Sequence, residues 1–415
     1  MINLGLEYYK KLTLPYKDKR IIENLRLERL RRIILNAKGN VPFYKEKYIG
    51  INVEDIRSAE DIQLLPIIKS KELKTRETKE ITSEFADLKN CVLLSTSGTS
   101  GVPFKVYISP REDVLRQLVL LIFLRRYGWC PWWKGVNLQF PVKKVKMTAL
   151  QKLINVRRFY VPTDLPLTEQ LDLILSIRPD FIYGLTSSVY VLANYMIKKN
   201  IKYNKAKFIG IAGNILTDDV SSLLLKAFGH PGVDYYGANE VGFIGCDCPQ
   251  CDLKYFDNAE NIIEILDEND KPVKPGETGR AIITSLNNYI TPFIRYDIGD
   301  VITTAPLGHQ CKINYTHYKS VDGRVADILT LKNREFLHIA HVSRYLQDFK
   351  QVQFYQRKDG HVIIKYVPKY QQDNQHFLDD LLENVRLTGF DDVSFEKCDF
   401  IPLEPSGKYK ILKKE

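Results

Sequence analysis

A stretch rich in glycine and hydroxyl side chains, Leu94–Pro103, has the residue types of a phosphate-binding loop. Gly98 and Gly101 allow the backbone to turn with positive φ and to bring N–H groups close to a ligand. The apolar runs on either side, Val92–Leu94 and Phe104–Ile108, are typical of strands, so the stretch is predicted to be a hairpin loop. Because serine, threonine and glycine also favour turns, an ordinary surface hairpin is the alternative interpretation. A Walker A loop is excluded, since that loop needs Gly-Lys-Ser/Thr at the start of a helix.

Four further motifs follow this loop in a fixed order. They are Tyr235-Tyr236-Gly237-Ala238-Asn239-Glu240, Arg295-Tyr296-Asp297-Ile298-Gly299-Asp300, Gly323-Arg324-Val325-Ala326-Asp327 and Pro405-Ser406-Gly407-Lys408. In this order and at these separations, the chain resembles the adenylate-forming (ANL) superfamily of acyl-CoA synthetases, peptide-synthetase adenylation domains and luciferases. The stretches Asn40–Tyr44 and Leu65–Lys69 are similar to the phenylacetate–CoA ligase and CapK-like branch. The resemblance extends over nearly the whole chain.

The resemblance implies an ATP site. It assigns the β- and γ-phosphates to the loop Ser95–Pro103, adenine stacking to Tyr236 and the ribose hydroxyls to Asp300. Arg324 would donate hydrogen bonds to the ribose or to a phosphate. The residues expected to bind ATP are Ser95, Thr96, Ser97, Gly98, Thr99, Ser100, Gly101, Ala212, Gly213, Tyr235, Tyr236, Gly237, Asp300 and Arg324.

Glu240 and Lys408 are the catalytic residues that the resemblance implies. Glu240 would help to bind Mg²⁺, a hard cation that prefers carboxylate and phosphate oxygens. Lys408 would reach the α-phosphate and the carboxylate of the substrate and neutralise their charge. Taken without the surrounding motifs, Glu240 would be interpreted as an exposed carboxylate and Lys408 as part of a solvated tail.

The implied reaction joins a carboxylic acid to ATP and gives an acyl-adenylate and pyrophosphate. A thiol of CoA or of carrier-protein pantetheine is then expected to attack, and the branch favours an aryl or arylacetic acid. One alternative uses the adenylate without CoA, for amide or ester formation or for AMP transfer in capsule or secondary-metabolite biosynthesis. Another is a non-catalytic basic binding protein on the same scaffold. The chain departs from the family pattern at Val102, Ala326 and Leu331–Arg334, and the last departure leaves CoA as one acceptor among several.

Three cysteines follow the Tyr235–Glu240 motif directly: Cys246, Cys248 and Cys251. Thiolates this close in sequence suit tetrahedral Zn²⁺, which needs a fourth ligand from elsewhere in the chain. The resemblance places that ligand between the Gly-Asp motif and the hinge, which implies Cys311, with His309 as the alternative. We therefore expect a structural Zn²⁺ that braces the segment of Glu240. Reduced thiols without a metal are the alternative interpretation, and a thioredoxin-like dithiol is disfavoured by its context.

The composition is that of a globular protein with a basic surface. The 415 residues carry a formal net charge of +10, which suits polyanionic partners such as ATP, CoA or an acidic carrier protein. Nucleic acid is disfavoured as a partner, because the lysines are dispersed and no nucleic-acid-binding signature is present. Met1–Arg20 lacks the apolar core of a signal peptide, and the most apolar run, Leu118–Leu124, is too short to span a bilayer. We therefore expect a soluble cytoplasmic protein.

The elements around these motifs alternate between helix and strand, which predicts layered α/β sheets. Helices are expected at 20–37, 110–127, 167–177 and 188–199, and strands at 181–183 and 208–211. Short strands over 260–304 suit the small β-barrel that the resemblance implies. Beyond Gly323 the pattern indicates a small α+β unit. The expected fold is a large N-terminal domain (1–323) with the ATP and acyl site, followed by a small mobile C-terminal lid domain (324–415).

Overall fold

The computed structural model describes residues 4–96, 104–139, 157–163, 165–213, 216, 218–324, 328–330, 336–338, 349–368, 392–402 and 412–415. The α-helices in this part of the chain are α1 (Leu4–Thr13), α2 (Lys19–Asn40), α3 (Pro42–Lys47), α4 (Ser70–Lys74), α5 (Thr78–Ile81), α6 (Pro110–Arg126), α7 (Leu167–Ile177), α8 (Thr186–Lys198) and α9 (Asp218–Phe228). Short 3₁₀ helices occupy Leu14–Tyr16, Val53–Asp55, Glu60–Leu64 and Leu88–Asn90.

The described strands lie between residues 68 and 414. They are β1 (Ile68–Lys69), β2 (Val92–Thr96), β3 (Phe104–Ile108), β4 (Gly135–Gln139), β5 (Arg158–Pro162), β6 (Phe181–Leu185), β7 (Phe208–Ala212), β8 (Val233–Ala238), β9 (Gly242–Asp247), β10 (Lys254–Phe256), β11 (Asn261–Leu266), β12 (Thr278–Ser285), β13 (Tyr296–Thr304), β14 (His317–Arg324), β15 (Ile328–Thr330), β16 (Phe336–His338), β17 (Phe349–Gln356), β18 (Val362–Pro368), β19 (Val393–Lys397) and β20 (Leu412–Lys414).

The predicted helix boundaries follow local signals that the structure confirms. Helix α2 buries the stripe Leu30, Ile33, Ile34 and Ala37, each fully removed from solvent. The hydroxyl of Ser109 caps α6 by accepting a hydrogen bond from the N–H of Glu112 at 3.1 Å, and Pro110 occupies the first turn. The helix ends before Gly128, whose φ is +88°.

The main sheet of the described residues joins a parallel half to an antiparallel half, in the order β11-β12-β13-β14-β10-β9-β8-β7-β6-β4-β5. Strands β5, β4, β6, β7 and β8 are parallel, and β9 turns back antiparallel to β8. The short strand β1 pairs with β13. The strands predicted over 260–304 are present as β11, β12 and β13 and hydrogen-bond into this same sheet. The expected mixed α/β fold is therefore confirmed.

Both faces of the parallel half are covered, which explains its nearly continuous apolar sequence. Ile182 and Ile209 face a core that includes residues of α7, α8 and α9. Phe181 and Phe208, one position earlier on each strand, face a second core that includes Phe123 of α6. The alternation of side chains along each strand thus divides the two cores.

Contacts divide the chain into two compact units. The first comprises Met1–Thr96, Pro103–Ile298 and Ile302–Ser320, and the second comprises Ser97–Val102, Gly299–Val301 and Val321–Glu415. The second unit has its own sheet, in the order β19-β18-β17-β20. Phe354 lies opposite Ile364 and Leu412 in this sheet, and all three side chains are buried. The domain boundary at 323/324 stays a prediction.

Among the described helices, none combines the length and the apolar sequence that crossing a membrane requires.

Candidate active site and metal centre

The carboxyl ends of the parallel strands bring together two of the sequence-predicted segments. Strand β7 ends at Ala212, and Gly213 follows with a φ of +90°, a conformation that favours glycine. Ala212 pairs with Tyr235 of the neighbouring strand β8. Ligands of open α/β sheets collect at this edge, beyond the carboxyl ends of the strands. Ala212, Gly213 and Tyr235 are therefore neighbours in space, although twenty-odd residues separate the two segments.

Glu240 lies in the tight turn between β8 and β9. The turn comprises Asn239–Val241, and Gly242 opens β9 with a φ of +81°. A three-residue hairpin loop followed by a left-handed glycine is a common hairpin connection. Glu240 is half-buried, and Asn239 is exposed. The strand pairing thus holds the Glu240 turn beyond the carboxyl end of β8.

Arg116 of α6 holds this turn from the side. Its Nη1 donates to the carbonyl oxygen of Asn239 at 2.9 Å, and its Nη2 donates to the carbonyl of Glu240 at 3.4 Å. The same guanidinium donates to Oε1 of Glu112 through Nε at 3.1 Å and through Nη2 at 2.9 Å. Gly242 fits closely here, since a Cβ at that position would lie 3.2 Å from Nε of Arg116. The motif around Glu240 is therefore fixed by a helix more than a hundred residues earlier.

Glu112 is buried, with 4% of its surface exposed, and its Oε2 has no hydrogen-bond partner. Burial raises the pKa of Glu112 to about 7, and the neighbouring Arg116 opposes that rise. Glu112 was not among the site residues expected from the sequence. Its N–H does make the capping bond to Ser109, while its carboxylate turns to Arg116. The signal that could have found this pair is the i,i+4 spacing of Glu112 and Arg116 on one helix face.

The two tyrosines of the β8 motif have different surroundings. The ring of Tyr235 lies 4.9 Å from that of Phe243 and 5.4 Å from that of Phe123, in the core beneath the edge. Burial raises the pKa of Tyr235 far above its usual range. Tyr236 is half-buried, and the strand pairing shifts between Tyr236 and Gly237. Such a shift re-aims side chains at the end of a strand.

In the Arg295–Asp300 motif, the first residue is structural. Arg295 is buried with a φ of +47°, and it makes two hydrogen bonds to the carboxylate of Glu264, at 2.7 and 3.0 Å. It also donates to the carbonyl of Leu65 at 2.6 Å, which joins the Leu65–Lys69 stretch to the start of β13. Asp300 is 7% exposed and follows Gly299, whose φ is +80°.

The other expected ATP-binding residues fall at or beyond the limits of the described chain. Ser95 and Thr96 end β2, paired with Lys105 and Phe104, and Arg324 ends β14. Outside the described residues lie Ser97, Gly98, Thr99, Ser100, Gly101, Val102, Ala326, Leu331–Arg334 and Lys408.

A cluster of cysteine and histidine lies at the opposite end of β9. One ligand atom from each of Cys248, Cys251, Cys311 and His317 lies within 4.8 Å of the others. The hairpin between β9 and β10 carries Cys248 and Cys251, and it is closed by a hydrogen bond from the N–H of Cys248 to the carbonyl of Leu253 at 2.9 Å. Cys311 precedes β14, and His317 is the first residue of β14.

This ligand set differs from the sequence-based expectation, because Cys246 and His309 are not in the cluster. Tyr255 pairs with Cys246 on one side and with His317 on the other. Cys246 is thus two strands, about 10 Å, from His317. Its side chain is fully buried, and burial raises the pKa of its thiol. His309 is exposed and its Nδ1 contacts the carbonyl of Pro306 at 3.2 Å.

His317 was missed because it has no cysteine beside it in the sequence, and only the pairing of β10 with β14 brings it to the hairpin. Its ring lies 4.9 Å from that of His309, the residue that the sequence had suggested.

No protein-family model matches the chain. Two relatives are both named phenylacetate–coenzyme A ligase. The relative from Thermus thermophilus is 22% identical over 343 residues, which are 77% of this chain and 73% of the relative. The relative from Pseudomonas putida is 24% identical over 303 residues, which are 68% of this chain and 66% of the relative.

Among solved structures, the chain is similar to 2-hydroxyisobutyryl-CoA ligase in complex with R3-HIB-AMP. That match has a TM-score of 0.74 and 16% identity, and it covers 94% of this chain and 89% of the ligase. The amide bond synthetase McbA from Marinactinospora thermotolerans matches with a TM-score of 0.54 and 17% identity, over 77% of this chain and 68% of the synthetase. At these identities the structural likeness shows a common fold.

Proposed function

Since the chain belongs to the adenylate-forming (ANL) superfamily of enzymes, we propose that it is an AMP-forming ligase that activates a carboxylic acid with ATP. A carboxylate oxygen of the acid forms a bond to the α-phosphorus of ATP. The bond from this phosphorus to the bridging oxygen breaks, and pyrophosphate leaves with that oxygen. The observation that carries the proposal is the Glu240 turn, which Arg116 holds at the end of β8, the strand whose Tyr235 pairs with Ala212 at the carboxyl edge of the parallel strands.

The residues at this edge have defined tasks in the proposal. Tyr236 stacks on adenine, and the Ala212–Gly213 turn lies alongside. Glu240 supplies a carboxylate for Mg²⁺, and Mg²⁺ would offset charge on the phosphates. Arg116 acts through the backbone of the turn and is a positioning residue, since it donates to the carbonyl of Asn239.

The remaining ATP contacts are proposed from the motifs. The loop Ser95–Gly101 would surround the β- and γ-phosphates with N–H and hydroxyl donors. Asp300 would accept hydrogen bonds from both ribose hydroxyls, and Arg324 would donate to the ribose or a phosphate. Lys408 would neutralise the developing charge on the α-phosphate, where a well-placed charge lowers the barrier most.

A thiol is the proposed acceptor of the acyl group. Both named relatives are phenylacetate–coenzyme A ligases, and 2-hydroxyisobutyryl-CoA ligase has been solved with 2-HIB-AMP and CoA. These likenesses favour CoA, or the pantetheine of a carrier protein, and an aryl or arylacetic acid as the substrate. The likeness to an amide bond synthetase supports a second candidate, in which the adenylate acylates an amine.

One assay tests the proposal and separates its two candidates. The purified chain is incubated with MgATP and a panel of aryl, arylacetic and short aliphatic acids, and pyrophosphate release is measured for each acid with and without CoA. Mass spectrometry then identifies acyl-CoA, acyl-adenylate or amide when amines are supplied. We expect release that depends on the acid, with acyl-CoA as the product.

Amide formation without any thioester would favour the second candidate. Absence of pyrophosphate release with every acid, in protein shown to be folded by circular dichroism, would contradict adenylation and leave a binding protein on the same scaffold.

A further inference from the structure

We propose that Cys248, Cys251, Cys311 and His317 form a structural Zn²⁺ site that fastens the β9–β10 hairpin to the start of β14. The four ligand atoms lie within 4.8 Å of one another, and the sulfurs of Cys248 and Cys311 are 3.6 Å apart. Two thiolates bound to tetrahedral zinc at about 2.3 Å would lie about 3.8 Å apart. The cluster therefore has the dimensions of a zinc site.

The burial and hydrogen bonding of the His317 ring support this ligand set. Its side chain is buried at 5% exposure, and its Nε2 has no hydrogen-bond partner. The ring makes a hydrogen bond with the backbone of Tyr315. A zinc-binding histidine has this arrangement, with one nitrogen for the metal and the other fixed by a backbone group. A buried polar atom without a partner is costly, and a bound metal would satisfy it.

Backbone N–H groups are directed at all three sulfurs. The N–H of Ile313 donates to Sγ of Cys311 at 3.4 Å. The N–H groups of Gln250 and Leu253 donate to the sulfurs of Cys248 and Cys251. Such donors offset the negative charge of metal-bound thiolates and orient them.

The type and number of the ligands indicate which metal binds and that its role is structural. Thiolate and imidazole ligands in a tetrahedral set favour zinc over Mg²⁺ or Ca²⁺. The described cysteines are all free, and a gap of 3.6 Å between sulfurs is far longer than the roughly 2 Å of a disulfide bond. Four protein ligands leave no open position for a substrate, which is typical of structural zinc.

The site is also separate from the proposed chemistry. The six residues of β9 lie between the Glu240 turn and Cys248, a span of about 20 Å at the rise of a strand. The metal would thus brace the far end of β9. The inference is independent of the proposed function, because it uses none of the ATP-site residues.

The expected effect of the metal is on folding. It would join a hairpin to a segment 63 residues later, and the free energy of metal binding contributes directly to the stability of such a closed loop. We expect the unfolding temperature to fall when zinc is removed by a chelator under reducing conditions, and to recover with Zn²⁺ and not with Mg²⁺.

Metal analysis of the full chain, purified without chelator, tests the assignment. We expect about one zinc per wild-type chain, as one tetrahedral site requires. Cys251→Ala and His317→Ala should reduce zinc to background. The matched controls Cys246→Ala and His309→Ala change the same residue types just outside the cluster and should keep zinc. Wild-type protein without zinc, iron in its place, or loss of zinc in Cys246→Ala but not in Cys251→Ala would overturn the proposal.

A second measurement does not depend on whether the variants fold. X-ray absorption at the zinc edge of the wild-type chain should give three sulfur neighbours at about 2.3 Å and one nitrogen at about 2.0–2.1 Å. A shell of four sulfurs would assign the fourth position to a further cysteine, and a shell without sulfur would place the metal elsewhere. Either result refutes this ligand set.

Discussion

Glu240 is the residue on which the proposed ATP chemistry depends most directly. Its turn is held by β8, β9 and Arg116, so the backbone of Glu240 occupies a defined place at the sheet edge. Glu240→Gln keeps the shape of the side chain and removes the charge for Mg²⁺. We expect acid-dependent pyrophosphate release to collapse at limiting Mg²⁺, while the circular dichroism spectrum and the unfolding temperature stay those of the wild type.

The matched control is Glu268→Gln, an exposed acid on a turn of the same unit. It should leave the Mg²⁺ dependence unchanged. If Glu240→Gln shows the same activity and Mg²⁺ dependence as this control, Glu240 is not at the metal.

The buried carboxyl group of Glu112 should make the stability of the chain depend on pH. Burial raises its pKa in the folded chain from about 4.5 to about 7. The folded state therefore binds a proton more tightly than the unfolded state, and stability from this group is present below pH 4.5 and is lost as the pH rises through 7. Relative to Glu112→Gln, the wild type should lose about 2–3 kcal/mol of unfolding free energy between pH 5 and 8. Urea unfolding of both proteins measures this, and parallel curves would contradict the raised pKa.

Helix α6 contacts the β8–β9 turn through Arg116, which lies close to Gly242. Gly242→Ala would place a Cβ 3.2 Å from Nε of Arg116 and force an L-residue to a φ of +81°. The left-handed backbone alone costs about 1–2 kcal/mol. Because Arg116 must shift as well, we expect Gly242→Ala to lower stability and also to raise, several-fold, the MgATP concentration that half-saturates adenylation.

Gly276→Ala separates these two causes. Gly276 has a similar φ of +86°, and a Cβ added there would have no neighbouring atom within 4 Å. This control should lose about the same 1–2 kcal/mol of stability and keep normal MgATP saturation. Equal effects of both variants on saturation would show that the Arg116 contact does not position the turn.

The proposed reaction has two half-reactions, adenylation and thioester formation, and only adenylation is expected to require Lys408. Lys408 is proposed to contact the α-phosphate, and it has no task once the adenylate has formed. Lys408→Ala should slow adenylation by about 10²–10³. Supplied with a presynthesised acyl-adenylate and CoA, the variant should make thioester at close to the normal rate. Rapid-quench measurement of each step tests this.

Lys358→Ala, at an exposed turn of the same small unit, is the control and should change neither step. Equal slowing of both steps in Lys408→Ala would refute the division of labour. Normal adenylation would remove Lys408 from the α-phosphate.

Local sequence patterns were sufficient to predict helices. The helices expected at 20–37 and 110–127 are present as α2 and α6, because capping and amphipathic burial act within a few residues. Alternation of helix and strand predicted the α/β class. It could not give the strand order that joins β11–β14 to the parallel strands, since hydrogen bonding between strands depends on residues far apart in the chain.

The motifs, their order and the closely spaced cysteines can be read from the sequence, because each of these is a run of adjacent residues. Which of those residues meet depends on how the chain folds. Pairing of β10 with β14 brings His317 to the hairpin. Cys246 lies on β9, on the other side of Tyr255 from His317. Packing of α6 on the β8–β9 turn brings Arg116 to the carbonyl of Asn239. Both contacts join segments that are distant in the chain, and only strand register and helix packing fix the distances between them.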